Sequence, residues 1–152
     1  MQRLTRITFN ILLAAMLSGA VAIDAVADAP IKKHDQALMI KTDGQCAVSV
    51  DLVSSEDNCA GSAFAGNCGK NGKDCVCIRD KKFITWQIDN GARFELQFDG
   101  TSPFKGENPL KSGNNSKLKR KVDAPEGDYI YNVVVEGCPG QVYDPRIVLR
   151  GG

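Results

Sequence analysis

Six cysteines, one histidine and a run of lysines carry most of the chemistry this sequence offers. The cysteines are Cys46, Cys59, Cys68, Cys75, Cys77 and Cys138, and four of them crowd into the stretch Ser54 to Cys77. An even set reads first as disulfides wherever a chain meets an oxidising compartment, with connectivity left open by sequence. Cys75 and Cys77 flank Val76 and point the same way along an extended chain, so they need separate partners. The pairing we favour joins Cys59 and Cys68 to Cys75 and Cys77, and Cys46 to Cys138. The competing chemistry is a soft-metal site for Cu(I) or Zn through Cys68, Cys75 and Cys77. Structural zinc sites are built on two separated knuckles, whereas this run has a single C-x-C and no C-x-x-C redox pair, so disulfides without a cofactor are the expectation.

A Ser-His-Asp or Cys-His arrangement would have to use His34, the single histidine. Its place beside Asp35, before the first apolar run, reads as solvated surface. Paired carboxylates such as Glu56 and Asp57 show no spacing that singles out an acid and a base. The sequence holds no phosphate loop, His-Glu zinc motif or dinucleotide fingerprint, so the chain reads as non-enzymatic. Lys117, Lys119, Arg120 and Lys121, with Lys105 and Lys111 nearby, make a local basic patch able to attract acidic polysaccharide, lipid headgroups or nucleic acid. No aromatic is interleaved to stack bases, and a solvated edge strand is the blander reading of the same charges. Asn114-Asn115-Ser116 fits a glycosylation sequon but reads as a polar loop.

The compartment follows from the first residues of the 152. Arg3 and Arg6 precede the apolar run Ile11 to Leu17, and Ala25-Val26-Ala27 is a small-residue cleavage site, so residues 1–27 read as a secretory signal. The apolar run is well short of the ~20 residues a membrane span needs. Cleavage there leaves cations and anions equal in number, which argues against a general nucleic-acid binder. The product is expected in a periplasm or released, as a monomer with no transmembrane segment, its partner an unknown protein or envelope polysaccharide.

These groups must be positioned by strands. After a flexible segment at 28–35, a single domain over 36–152 shows apolar residues at period two. Gln36–Lys41 and Cys46–Val53 read as strands, the first with a helical turn as the alternative. Ser54 to Cys77 reads as a disulfide-tied loop insertion, poor in large apolar residues. Phe83–Ile88 and Arg93–Phe98 alternate cleanly, and Asp89-Asn90-Gly91 between them predicts a hairpin. Thr101 to Ser116 is a long loop, Lys117–Val122 a charged edge strand, and Val142–Leu149 a closing strand interrupted by Pro145. Gly127–Val135 predicts the central strand, with Tyr129, Tyr131, Val133 and Val135 on one face. Trp86, Tyr129 and Tyr131 alternate with polar residues, which assigns them to the core rather than to a sugar-binding face. Seven to eight strands without a helix make a Greek-key β-sandwich, cupredoxin-like or immunoglobulin-like, the expected fold.

Ile84-Thr85-Trp86-Gln87-Ile88-Asp89-Asn90, followed by Gly127-Asp128-Tyr129-Ile130-Tyr131-Asn132, resembles the strand motifs of cupredoxins. In those secreted sandwiches a G-x-Y-x-Y-x-C strand delivers the copper thiolate. Tyr143 to Val148 also looks like the ending of small bacterial exported domains of this general type. Carried over residue by residue, the metal site fails. Val133 stands where the motif has cysteine, no methionine follows Met39, and His34 cannot supply the two imidazoles a blue-copper site needs. The resemblance therefore implies the fold without the electron-transfer site.

The expectation is an exported binding or structural module stapled by disulfides. Its candidate contact surfaces are the loop Ser54 to Cys77 and the basic stretch Lys105 to Lys121, because function concentrates on loops held by a rigid scaffold. The alternatives are a periplasmic soft-metal carrier through Cys68, Cys75 and Cys77, and a secreted inhibitor or toxin-like protein presenting the cysteine-rich loop.

Overall fold

Alternation of apolar and polar residues decides which face each strand buries. The computed structural model describes residues 34–54, 59, 74–106, 108–138 and 140–150, and these form nine strands and no helix. They are β1 (Gln36–Thr42), β2 (Ala47–Leu52), β3 (Cys75–Arg79), β4 (Phe83–Ile88), β5 (Phe94–Phe98), β6 (Leu110–Lys111), β7 (Lys117–Lys121), β8 (Gly127–Val135) and β9 (Arg146–Arg150). One sheet has the order β2-β1-β4-β7 and the other β3-β9-β8-β5-β6, so β8 is the middle strand of the second sheet. Leu38 and Ile40 of β1, with Ile84, Trp86 and Ile88 of β4, face Phe94, Leu96 and Phe98 of β5 and Tyr131, Val133 and Val135 of β8 across one continuous core. Burying each of these large side chains contributes on the order of 1.5–3 kcal/mol. The fold is the all-β sandwich expected, with mixed sheets: β1 runs parallel to β4 and β3 parallel to β9.

Three expectations are corrected. Asp89-Asn90-Gly91 does not close a hairpin, because β4 pairs with β1 and β7 while β5 pairs with β6 and β8. The turn is an arch between sheets, locked by the Ala92 amide donating to Asn90 Oδ1 at 2.9 Å and by Gly91 at φ +75°. Two runs that each bury one face look alike whether they lie side by side or face each other across a sandwich. Second, the loop assigned to Ser54–Cys77 ends earlier, since Cys75-Val76-Cys77 opens β3. Third, the closing strand begins at Arg146 instead of Val142, immediately after Pro145, which has no amide to donate. The Tyr131 amide donates to the Pro145 carbonyl, and the Val133 amide to the Tyr143 carbonyl, so 142–145 attaches to β8 without forming a ladder.

A single polar contact crosses the aromatic centre of the core. Trp86 Nε1–H donates to the Tyr131 hydroxyl at 3.1 Å, joining β4 of one sheet to β8 of the other. The Trp86 ring meets Phe104 and Tyr131 edge-on, with centroids 5.5 and 6.1 Å apart. Burial pushes the Tyr131 phenol far above the ordinary tyrosine value of 10.0. A tyrosine raised in the folded state contributes stability that is complete below the unfolded value and is lost as pH rises through the folded one. The unfolding free energy is therefore expected to fall above pH ~10 by about 1.4 kcal/mol per pH unit for this group. Urea titrations at stepped alkaline pH measure that slope, and Tyr131→Phe should flatten it.

The long loop after β5 has a structural task. Asn108 lies beside Phe98 and copies a neighbouring strand: its Oδ1 accepts from the Phe98 amide at 3.0 Å, and its Nδ2 donates to the Phe98 carbonyl at 2.9 Å. At the other end of β5, Ser112 exchanges bonds with the amide and carbonyl of Phe94. The edge of β5 is thereby satisfied where the two-residue β6 does not reach. Asn108→Asp retains the acceptor but sets a carboxylate against the Phe98 carbonyl, and should cost about 1–3 kcal/mol. Comparison of Asn108→Asp with wild type by urea denaturation checks it.

Candidate functional site

The copper position is tested first on β8. Val133 projects into the core and is 1% exposed, packed in the cluster that contains Trp86 and Leu96. The next cysteine, Cys138, follows β8 and is bonded to Cys46 just ahead of β2. His34 lies exposed before β1, where its carbonyl accepts from Gln36 Nε2 at 3.0 Å. An aliphatic side chain, an oxidised sulfur and one distant imidazole do not fit a blue-copper ion.

The cysteines sort onto two places. Cys46–Cys138 links the first sheet to the second across a sequence separation of 92 residues. Cys59–Cys77 ties the stretch after β2 to β3 over 18 residues. Cys75 is disulfide-bonded as well. Period-two geometry explains the division along β3: Val76 and Ile78 enter the main core, while Cys75 and Cys77 turn to the opposite face and form a second buried cluster with Cys59 and Val148 of β9. This corrects the soft-metal alternative. Cys75 and Cys77 would have to be thiolates, and their sulfurs are committed to disulfides. Cys68 and most of the loop Ser54 to Cys77 lie outside the described residues, so the surface that loop presents does too.

Two lysines of the basic stretch are held in ion pairs. Lys105 Nζ lies 2.7 Å from Asp123, which Lys81 also contacts, and the hydrogen bonds from Lys105 and then Lys81 hold the Asp123 carboxyl down at about 2. Lys111 pairs with Glu95 across β6 and β5 at 3.1 Å. These two lysines are thus local ion-pair partners, and Lys105 lies beside the end of β7, where Phe104 bridges Val122. Lys117, Lys119 and Lys121 stand on the outer face of β7, with Leu118 between them in the core. Arg120, half-buried, turns back and donates from Nη1 to the Lys119 carbonyl at 2.9 Å.

Sequence reasoning missed Asp74, which joins the two sheets at their edges. Its Oδ1 accepts from the Val50 amide of β2 at 2.8 Å, its Oδ2 accepts from the Tyr143 hydroxyl, and its carbonyl accepts from the Arg146 amide of β9 at 2.8 Å. Burial and the hydrogen bond to Asp74 push the Tyr143 phenol upward. Asp74 adopts φ +62°, a left-handed conformation that aspartate tolerates better than most residues. The available signal was an acidic residue following Asn71-Gly72-Lys73 and preceding an apolar run.

A groove of about 330 Å³ lies on the outer face of the second sheet, lined by Arg93, Glu95, Lys111, Val134 and Glu136 among others. Arg93 grips Glu136 through two bonds of 2.9 and 2.5 Å, and Lys111 holds Glu95, so its charges are internally matched. Among the described residues no group of three or more histidine, cysteine or acidic side chains is placed to hold a metal ion.

No family model matches this chain, and no curated protein matches it. Solved structures do. A purple cupredoxin from Nitrosopumilus maritimus is similar with a TM-score of 0.43 and 12% identity, over 76% of this chain and 100% of that one. An amicyanin variant in its Cu(I) form gives 0.37 and 13%, over 75% and 82%. A copper-containing nitrite reductase from Thermus scotoductus gives 0.35 and 12%, over 51% of this chain and 19% of that one. At these identities and TM-scores the likeness transfers no residue's role and no copper chemistry to this chain. What the chain has is an all-β sandwich of two mixed sheets, with Val133 at the position the sequence resemblance gives to the thiolate.

Proposed function

We propose that this protein is an exported, non-enzymatic binding or structural module, built on a cupredoxin-like framework that has no place for an electron-transfer copper. The observation that carries the reading is the commitment of cysteine to cross-links at the framework's joints: Cys46–Cys138 between the sheets and Cys59–Cys77 onto β3. Disulfides of this kind persist in oxidising compartments and are rare where thiols are kept reduced. The basic, apolar and small-residue order of residues 1–27, which reads as a secretory signal, supports the same compartment. The pairing of Cys75 and Cys77 into disulfides weighs against the carrier reading.

Intact mass spectrometry of the protein recovered from an export-competent host, without reductant, tests the proposal. The expected product begins near Asp28 and is lighter than its fully reduced form by about six hydrogens, as three disulfides require. An uncut leader with reduced thiols would overturn it. So would stoichiometric copper or zinc retained on free cysteines.

A further inference from the structure

Ion pairs neutralise many cations of this nearly charge-balanced chain. Lys81, Arg93, Lys105, Lys111, Arg146 and Arg150 each have a carboxylate within 4 Å. Strand β7 is different. Among the described residues Lys117 and Lys121 have no carboxylate that close, and Lys119 has only Asp35 at 3.9 Å. Period two brings the three exposed lysines out on one face of the strand, their Cα positions about 6.6–6.8 Å apart. The neighbouring strand adds polar groups in register, with Gln87 opposite Lys117 and Thr85 opposite Lys119, while the Phe83 ring stands opposite Lys121.

Part of the outer edge of β7 is already occupied. The Lys117 amide donates to Asn115 Oδ1, the Lys117 carbonyl accepts from the Gly113 amide, and the Lys119 carbonyl accepts from Arg120. The lysine side chains are the groups this row offers most openly to a ligand. The Phe83 ring is covered by Lys119 Nζ, 4.6 Å from its centroid, and is not open to stack a nucleobase. Asp51 lies across the same outer face, opposite Met39, and Asp35 beside Phe83, which sets negative charge against any broad anionic plane such as a membrane. A single chain that follows β7 meets the lysines and avoids Asp51.

We propose that the row Lys117-Lys119-Lys121 binds a linear acidic polysaccharide, its carboxylates on the ammonium groups and its hydroxyls on Thr85 and Gln87. The inference rests on the exported-module reading above and names the class of partner for it.

Polygalacturonate is the probe, with dextran as the neutral control, and binding is measured by calorimetry on the disulfide-bonded protein. Polygalacturonate should bind and dextran should not, and raising salt from about 20 to about 200 mM should weaken binding about tenfold. Lys117→Gln/Lys119→Gln/Lys121→Gln should weaken it at least about thirtyfold, the sum of several exposed charge contacts. Lys111→Gln, which removes a lysine paired with Glu95 in the other sheet, should stay within about twofold. Lys117→Gln/Lys121→Gln spares the Lys119–Phe83 contact and keeps the test sharp if the triple variant melts early; it should still lose about tenfold. Absence of binding at low salt, or equal binding by the row variants, overturns the proposal. Tighter binding to anionic lipid vesicles or to single-stranded DNA than to polygalacturonate overturns it too. Each of these failures leaves the disulfide count untouched, so the exported-module reading stands or falls separately on the mass measurement.

Discussion

Cys46→Ala/Cys138→Ala is expected to lower the unfolding free energy by about 4–5 kcal/mol, enough to bring a domain of ordinary stability close to unfolding at room temperature. The size follows from chain entropy: the bond closes a loop of 92 residues, and the longer the loop, the more freedom the cross-link removes from the unfolded chain. Cys59→Ala/Cys77→Ala opens a loop of only 18 residues, and the same relation gives about 3 kcal/mol. Thermal midpoints should drop by roughly 15 °C for the first pair and roughly 10 °C for the second. The order of the two losses is the discriminating result. If guanidinium titrations put the Cys59–Cys77 loss above the Cys46–Cys138 loss, restriction of the unfolded chain is not what these bonds supply.

Trp86→Ala should cost about 3–5 kcal/mol, because it removes the largest fully buried side chain and leaves a cavity between Phe104 and Tyr131. Smaller changes dissect the site. Tyr131→Phe leaves Trp86 Nε1–H buried without its acceptor and should cost about 1–3 kcal/mol. Adding Trp86→Phe removes that stranded donor, so the double variant should be more stable than the sum of the single losses predicts. Urea denaturation of the four proteins forms a complete cycle. Strict additivity would mean that the indole–phenol contact contributes nothing beyond packing.

Much of the sandwich is legible in the sequence, because burial of one face writes itself as alternation. Phe94, Leu96 and Phe98 are read correctly from spacing alone, and so are Tyr131, Val133 and Val135. Alternation does not name a strand's neighbour. The Asn90-Gly91 turn therefore reads as a hairpin although it carries the chain between sheets. β3 is hidden for the opposite reason: Cys75, Val76, Cys77 and Ile78 are all buried, two against each side, so no polar residue marks an outer face. The lysines show a further limit. Lys105, Lys111 and the β7 row are close in sequence, and nothing there says that two of them face carboxylates supplied by Asp123 and Glu95. The failure of the copper set is legible, since it needs only the identity of Val133 and the count of histidines.

The parallel pairing of β3 with β9 bears on the order of assembly. Cys75 lies opposite Arg146 and Arg79 opposite Arg150, and β3 is the rim strand of its sheet with β9 as its only laddered neighbour. A chain emerging from its amino end therefore has no ladder for β3 until the residues after Pro145 arrive. Contacts so remote in sequence form late and slow the search for the native arrangement. The polypeptide is thereby kept pliable until it is nearly complete.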